Sequence, residues 1–86
     1  MDTRETTYKK MFIDMIAVHL KDGSTRPLKF KLEDDTVVVI DRVKFCQRAA
    51  STQVGGGGLR YTVMIRGVER FIFEDEGKWF IEAREE

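Results

Sequence analysis

The chain has 86 residues, 42% of them hydrophobic and 35% charged, with 15 basic and 15 acidic side chains and a formal net charge of zero. A chain of this length forms one domain that buries only about 60% of the surface its unfolded form exposes, so it has room for one simple core. The hydrophobic share excludes wholesale disorder, the charge balance excludes a whole-molecule field steering the chain to nucleic acid or membrane, and the lone Cys46 excludes an internal disulfide.

In chain order, residues 1–7 are polar and short of apolar anchors, and they read as a loose N-terminal tail. The next stretch fits two templates. Tyr8, Met11, Phe12, Met15 and Ile16 fall at helical spacing, whereas Phe12, Ile16, Val18 and Leu20 alternate as a strand would, with Asp14 the exception on that face. A strand over about Lys9 to Leu20 is favoured, because Lys21-Asp22-Gly23-Ser24 is a hairpin signal and the following segment is extended.

Pro27 suits the start or edge of a strand, and Leu28-Lys29-Phe30-Lys31-Leu32 alternates with Leu28, Phe30 and Leu32 inward. Glu33-Asp34-Asp35-Thr36 turns the chain into the β-branched run Val37–Ile40, a strand paired with the one before it. The alternation continues through Asp41-Arg42-Val43-Lys44-Phe45, with Val43 and Phe45 on one face and Lys44, Cys46 and Arg48 on the other. At Arg48-Ala49-Ala50-Ser51-Thr52 the chain changes to small residues, as in a bulge or a single helical turn.

Four consecutive glycines, Gly55–Gly58, separate this strand from the next. A phosphate-binding loop needs a lysine and hydroxyl at a helix start, or glycines placed before a helix. Here Leu59-Arg60-Tyr61 begin a strand, so residues 53–58 read as a mobile hairpin tip and spacer. Tyr61, Val63 and Ile65 then alternate, Gly67-Val68-Glu69 turns the chain into Arg70–Phe73, Glu74–Gly77 is an acidic turn, and Lys78–Ala83 is the last strand, with residues 84–86 a loose C-terminal tail. No internal repeat is read. The fold expected over residues 1–86 is a single all-β domain of about six antiparallel strands in a small, partly open barrel, an SH3-like or OB-like meander without a long helix.

The charges fall in blocks: net +3 over residues 1–32, −4 over 33–41, +5 over 42–70 and −4 over 71–86. Such blocks suit strands whose solvated faces pair across a sheet. The basic block also carries two aromatics, and Arg42, Lys44, Phe45, Arg48, Arg60, Tyr61, Arg66 and Arg70 together form a candidate surface for single-stranded nucleic acid or another partner.

Catalytic patterns are absent. Cys46 lies between Lys44 and Arg48, but nothing brings the single His19 to it as a base. One cysteine and one histidine fall short of the usual metal ligand set, and no metal or cofactor is expected. Glu33, Asp34, Asp35, Glu74, Asp75 and Glu76 belong to turns, while Asp14 and Asp41 lie inside strand patterns, where a hydrogen bond to a loop is the expected task. No apolar run reaches membrane-spanning length and no cleavable signal is read, which together with the single cysteine leads to an expected cytoplasmic location.

The order of Pro27, a strand, an acidic turn, Val39-Ile40-Asp41-Arg42-Val43, then Gly58-Leu59-Arg60-Tyr61-Thr62-Val63, Gly67, Phe73 and Trp79-Phe80 resembles a group of small uncharacterised bacterial β-barrel proteins, over roughly Val18 to Ala83. The resemblance implies the barrel and carries no catalytic residue. The expected function is that of a non-enzymatic binding or structural accessory module that contacts a protein partner or itself. The alternative is a nucleic-acid-binding module using segment 42–70.

Overall fold

The computed structural model of the chain describes residues 7–49 and 58–85. Seven strands run in chain order: β1 (Thr7–His19), β2 (Thr25–Lys31), β3 (Val37–Val39), β4 (Arg42–Arg48), β5 (Leu59–Ile65), β6 (Val68–Asp75) and β7 (Lys78–Glu85). All pairings are antiparallel, in the order β3-β2-β1-β7-β6-β5-β4, and the sheet curls into a half-barrel. The described residues contain no helix, so none is long and apolar enough to cross a membrane. Of the mobile tip expected at residues 53–58, all but Gly58 lie outside the described residues.

One strand divides its length between two partners, and one run of sequence is split between the two ends of the sheet. In β1, residues Thr7 to Ile13 pair with β7, and Asp14 to His19 pair with β2. The alternation of β1 thus has two neighbours to satisfy in turn, and the strand reading of this stretch holds over the helical one. The run from Val37 onward is divided where the sequence suggests one continuous strand. Ile40 donates its N–H to the Leu28 carbonyl (2.9 Å) on β2, while Asp41 donates to the Met64 carbonyl (2.9 Å) on β5. One peptide step therefore crosses between the two ends of the sheet, and seven strands replace the expected six. Thr7 and Arg84–Glu85, assigned from the sequence to the tails, are also strand residues, with Thr7 opposite Glu85 and Tyr8 opposite Arg84.

The turns follow from local chemistry. Leu20–Ser24 and Leu32–Thr36 are built alike: the leucine N–H bonds to the Ser24 or Thr36 carbonyl, and an aspartate side chain accepts the N–H two residues on. The β5–β6 turn consists of Arg66 and Gly67, both at positive φ (52° and 77°), so Val68 belongs to β6 and not to the turn. Glu76 and Gly77 repeat this geometry before β7 (53° and 82°), as two-residue hairpins of this twist require.

One core fills the inside of the curl, from Ile13, Phe30, Ile40, Tyr61, Val63 and Ile72, ringed by Met15, Leu32, Val38, Val43, Trp79 and Ile81. Full burial of a side chain such as Ile72 or Val63 contributes roughly 1.5–3 kcal/mol. Alternation places Phe73 and Phe80 on the opposite face, yet both are buried there. Their rings stack at 5.2 Å, Phe12 meets Phe80 edge-on at 5.9 Å, and the Lys10 ammonium lies 4.9 Å over the Phe80 ring.

Two bulges overturn faces expected from strict alternation. In β2, Ile16 pairs with Lys29 but Ala17 pairs with Pro27, so Leu28 is the extra residue and is exposed instead of inward. In β4, Val43 pairs with Val63 and Phe45 with Thr62, so Lys44 is extra. Val43 keeps its inward position, while Phe45 moves to the outer face and Cys46 comes opposite Tyr61.

Candidate binding surface

The eight basic-segment candidates do not share one surface. Tyr61 is a core residue, 3% exposed, and is removed from any contact surface. Burial first, then the neighbouring Cys46 and its hydrogen bond, then Glu74 push the Tyr61 hydroxyl up to about 12. Arg48 lies opposite Leu59 on the inward side at the end of β4. Arg66 stands in the β5–β6 turn, and Arg70 sits opposite Val63 at an inward position of β6.

The other four gather on the outer face. Arg42 is opposite Met64, Lys44 forms an ion pair with Glu69 (2.9 Å), and Phe45, half exposed, is opposite Thr62. Thr62 is in turn opposite Phe71 of β6, so one cross-strand row reads Phe45, Thr62, Phe71. The Arg60 guanidinium lies 4.6 Å over the Phe71 ring. Between the two exposed rings Thr62 is only 1% exposed, and its Oγ1 has no hydrogen-bond partner; Arg60 Nε is likewise buried and unpartnered. Phe71 and Thr62 escaped the sequence reading because Phe71-Ile72-Phe73 is apolar on both faces, which hides that both rings stand on the outer face, with Phe73 covered and Phe71 exposed.

The open side of the half-barrel is a second feature. Among the described residues no strand pairs with the far edge of β4, and all of its residues except Val43 are exposed. Across from it, β2 pairs with β3 only through Lys29–Lys31 and its Leu28 carbonyl accepts the Ile40 N–H, leaving Thr25–Pro27 without a strand partner on that side among the described residues. The two edges diverge from the Ile40–Asp41 step around a cleft of about 330 Å³ lined by Arg26, Pro27, Leu28, Arg42 and Val43. Arg26, Arg42, Lys44 and Arg48 border this seam, and the one acid at its apex, Asp41, accepts the Arg66 N–H.

The remaining chemistry is dispersed. Cys46 is exposed on β4, whereas His19 Nδ1 sits 3.3 Å from the Thr25 hydroxyl at the β1–β2 end. Among the described residues no three His, Cys, Asp or Glu side chains come together as a metal centre. No family model, curated protein or solved structure matches the chain.

Proposed function

We propose that this chain is a non-enzymatic docking module that accepts an extended, acidic segment of a protein partner along the free edge of β4, in a reducing compartment such as the cytoplasm. The observation that carries the reading is the edge of Arg42–Arg48, which has no strand partner among the described residues and offers backbone donors and acceptors to an added strand. Charge decides the kind of partner. Arg42 and Arg48 lie on this strand, which carries no acid, Lys44 beside them is paired with Glu69, and Arg26 faces the strand across the seam. A second copy pairing β4 against β4 would set like charges opposite one another, which is destabilising. An acidic strand meets complementary charge instead, and Phe45 supplies an exposed aromatic anchor beside it.

The test uses an acetylated, amidated peptide of four Glu-Val repeats, with four Lys-Val repeats as control. Added protection of the β4 amides against hydrogen exchange by the acidic peptide, weakened by salt, is the expected result. Protection of equal size by the basic peptide, or none by either, would remove the reading.

The nucleic-acid alternative draws support from one feature, the Arg60–Phe71 stack beside the exposed Phe45. The departure of Tyr61, Arg48, Arg66 and Arg70 from that face leaves it fewer contacts than the sequence suggests. Binding of oligothymidylate that falls steeply with salt, without any peptide effect, would favour this alternative.

A further inference from the structure

At the end of the barrel marked by the β5–β6 turn, a cavity of about 440 Å³ opens between that turn and β3. Its lining comes from inward positions of four strands: Phe30 of β2, Val38 of β3, Ile65 of β5 and Ile81 of β7, with Leu32 beside them. Two cations stand at its rim, Arg66 and Arg70, and no acidic residue is among those lining it. Arg70 is the anomaly. It holds an inward register position opposite Val63, two residues before the fully buried Ile72, and no carboxylate pairs with it among the described residues. Its guanidinium is exposed at the mouth beside an aliphatic wall, where it is open to an anionic group from solution. Volume, apolar lining and a few charged groups at one end are the usual make-up of a small-molecule site.

From this arrangement we infer that the barrel mouth binds a free single-chain anionic amphiphile, its aliphatic tail against Phe30, Val38, Ile65 and Ile81 and its carboxylate or phosphate head on Arg70 and Arg66. The guanidinium fork suits either head group through paired N–H donors. This site is separate from the β4 edge, and its success or failure leaves the peptide-docking reading untouched.

Calorimetric titration with decanoate, decyl phosphate and decanol, each below its micelle concentration, tests the inference on the full chain. Decanoate or decyl phosphate should bind at one site, and decanol about tenfold or more weakly, because it lacks the charge-assisted contacts. Arg70→Gln should lower the anion's affinity by about tenfold and leave decanol unchanged. Arg66→Asn, a residue that tolerates the positive φ of that position, should have a smaller effect in the same direction. Circular dichroism of both variants checks that the fold is kept. Equal affinities for decanol and decanoate would overturn the proposal. So would binding only to anionic phospholipid vesicles, which would make the arginines a bilayer contact. If Arg70 only guards the free β3 edge against pairing with another chain, Arg70→Gln will raise self-association while decanoate affinity stays the same, and that result also overturns it.

Discussion

Asp41 Oδ2 accepts the backbone N–H of Arg66 at 2.7 Å, fastening the step between β3 and β4 to the turn between β5 and β6. The same aspartate donates its own N–H to the Met64 carbonyl, so one residue holds the crossing point by side chain and backbone together. Asp41→Ala removes the charge-assisted bond and should cost about 1–2 kcal/mol, or several degrees in Tm for a domain this small. Asp41→Asn keeps a neutral acceptor and should lose less. Urea denaturation of the two variants beside the parent gives the comparison.

Thr62→Val should be neutral or stabilising, by up to about 1 kcal/mol. The hydroxyl is buried between Phe45 and Phe71 with no partner, and a methyl group of the same shape removes the unsatisfied atom without opening a cavity. A thermal midpoint lower than that of the parent would mean that Oγ1 has a bonding role.

Gly58→Ala should destabilise by roughly 2 kcal/mol or more. Gly58 has φ 105°, and a Cβ there would run into the Glu74 carbonyl, a backbone atom that cannot swing aside. Gly23→Ala meets no neighbour, and its cost comes from its φ of 93° alone. Denaturant midpoints should therefore fall further for Gly58→Ala than for Gly23→Ala.

Stability should decline at alkaline pH through Tyr61. Its hydroxyl titrates at about 12 in the folded chain against an ordinary 10.0, so between these values the unfolded chain binds fewer protons than the folded one. The contribution is complete below pH 10, is lost as pH rises toward 12, and is on the order of 2 kcal/mol. Tyr61→Phe should flatten this limb in urea midpoints measured from pH 9 to 12.

The acid limb belongs in part to the twin turns. The Ser24 hydroxyl and N–H hold Asp22 below its usual 3.8, and Thr36 does the same for Asp34. Groups with lowered pKa stabilise the fold above the ordinary carboxylate value and lose that contribution as pH falls through the folded one. Asp22→Asn with Asp34→Asn should reduce the slope of stability against pH below 4. An unchanged slope would assign the acid limb to other carboxylates.

The strands themselves were legible wherever one face is wet. Lys29 and Lys31 flank Phe30, so period-two alternation locates β2 directly. The hydrogen bond expected of Asp41 to a loop is present. The faces went wrong where an extra residue enters a strand: nothing in Val43-Lys44-Phe45 or Pro27-Leu28-Lys29 marks a bulge, because the shift answers to the partner strand. The likeness between Leu20–Ser24 and Leu32–Thr36 also escaped, since only the leucine and the middle aspartate recur while the hydrogen-bond geometry repeats in full. The basic surface dispersed for the same reason, as register and not charge spacing decides which arginines meet.

The partition of β1 between two neighbours has a bearing on synthesis. The half that pairs with β2 finds its partner across a short turn and can join it as soon as both have left the ribosome. The half that pairs with β7 has no sheet neighbour until Lys78–Glu85 has been made. During that interval Phe12, Met11 and Ile13 stand on an unpaired edge, open to any extended chain nearby. Pairing with β7 thus covers the edge that β2 leaves open on β1.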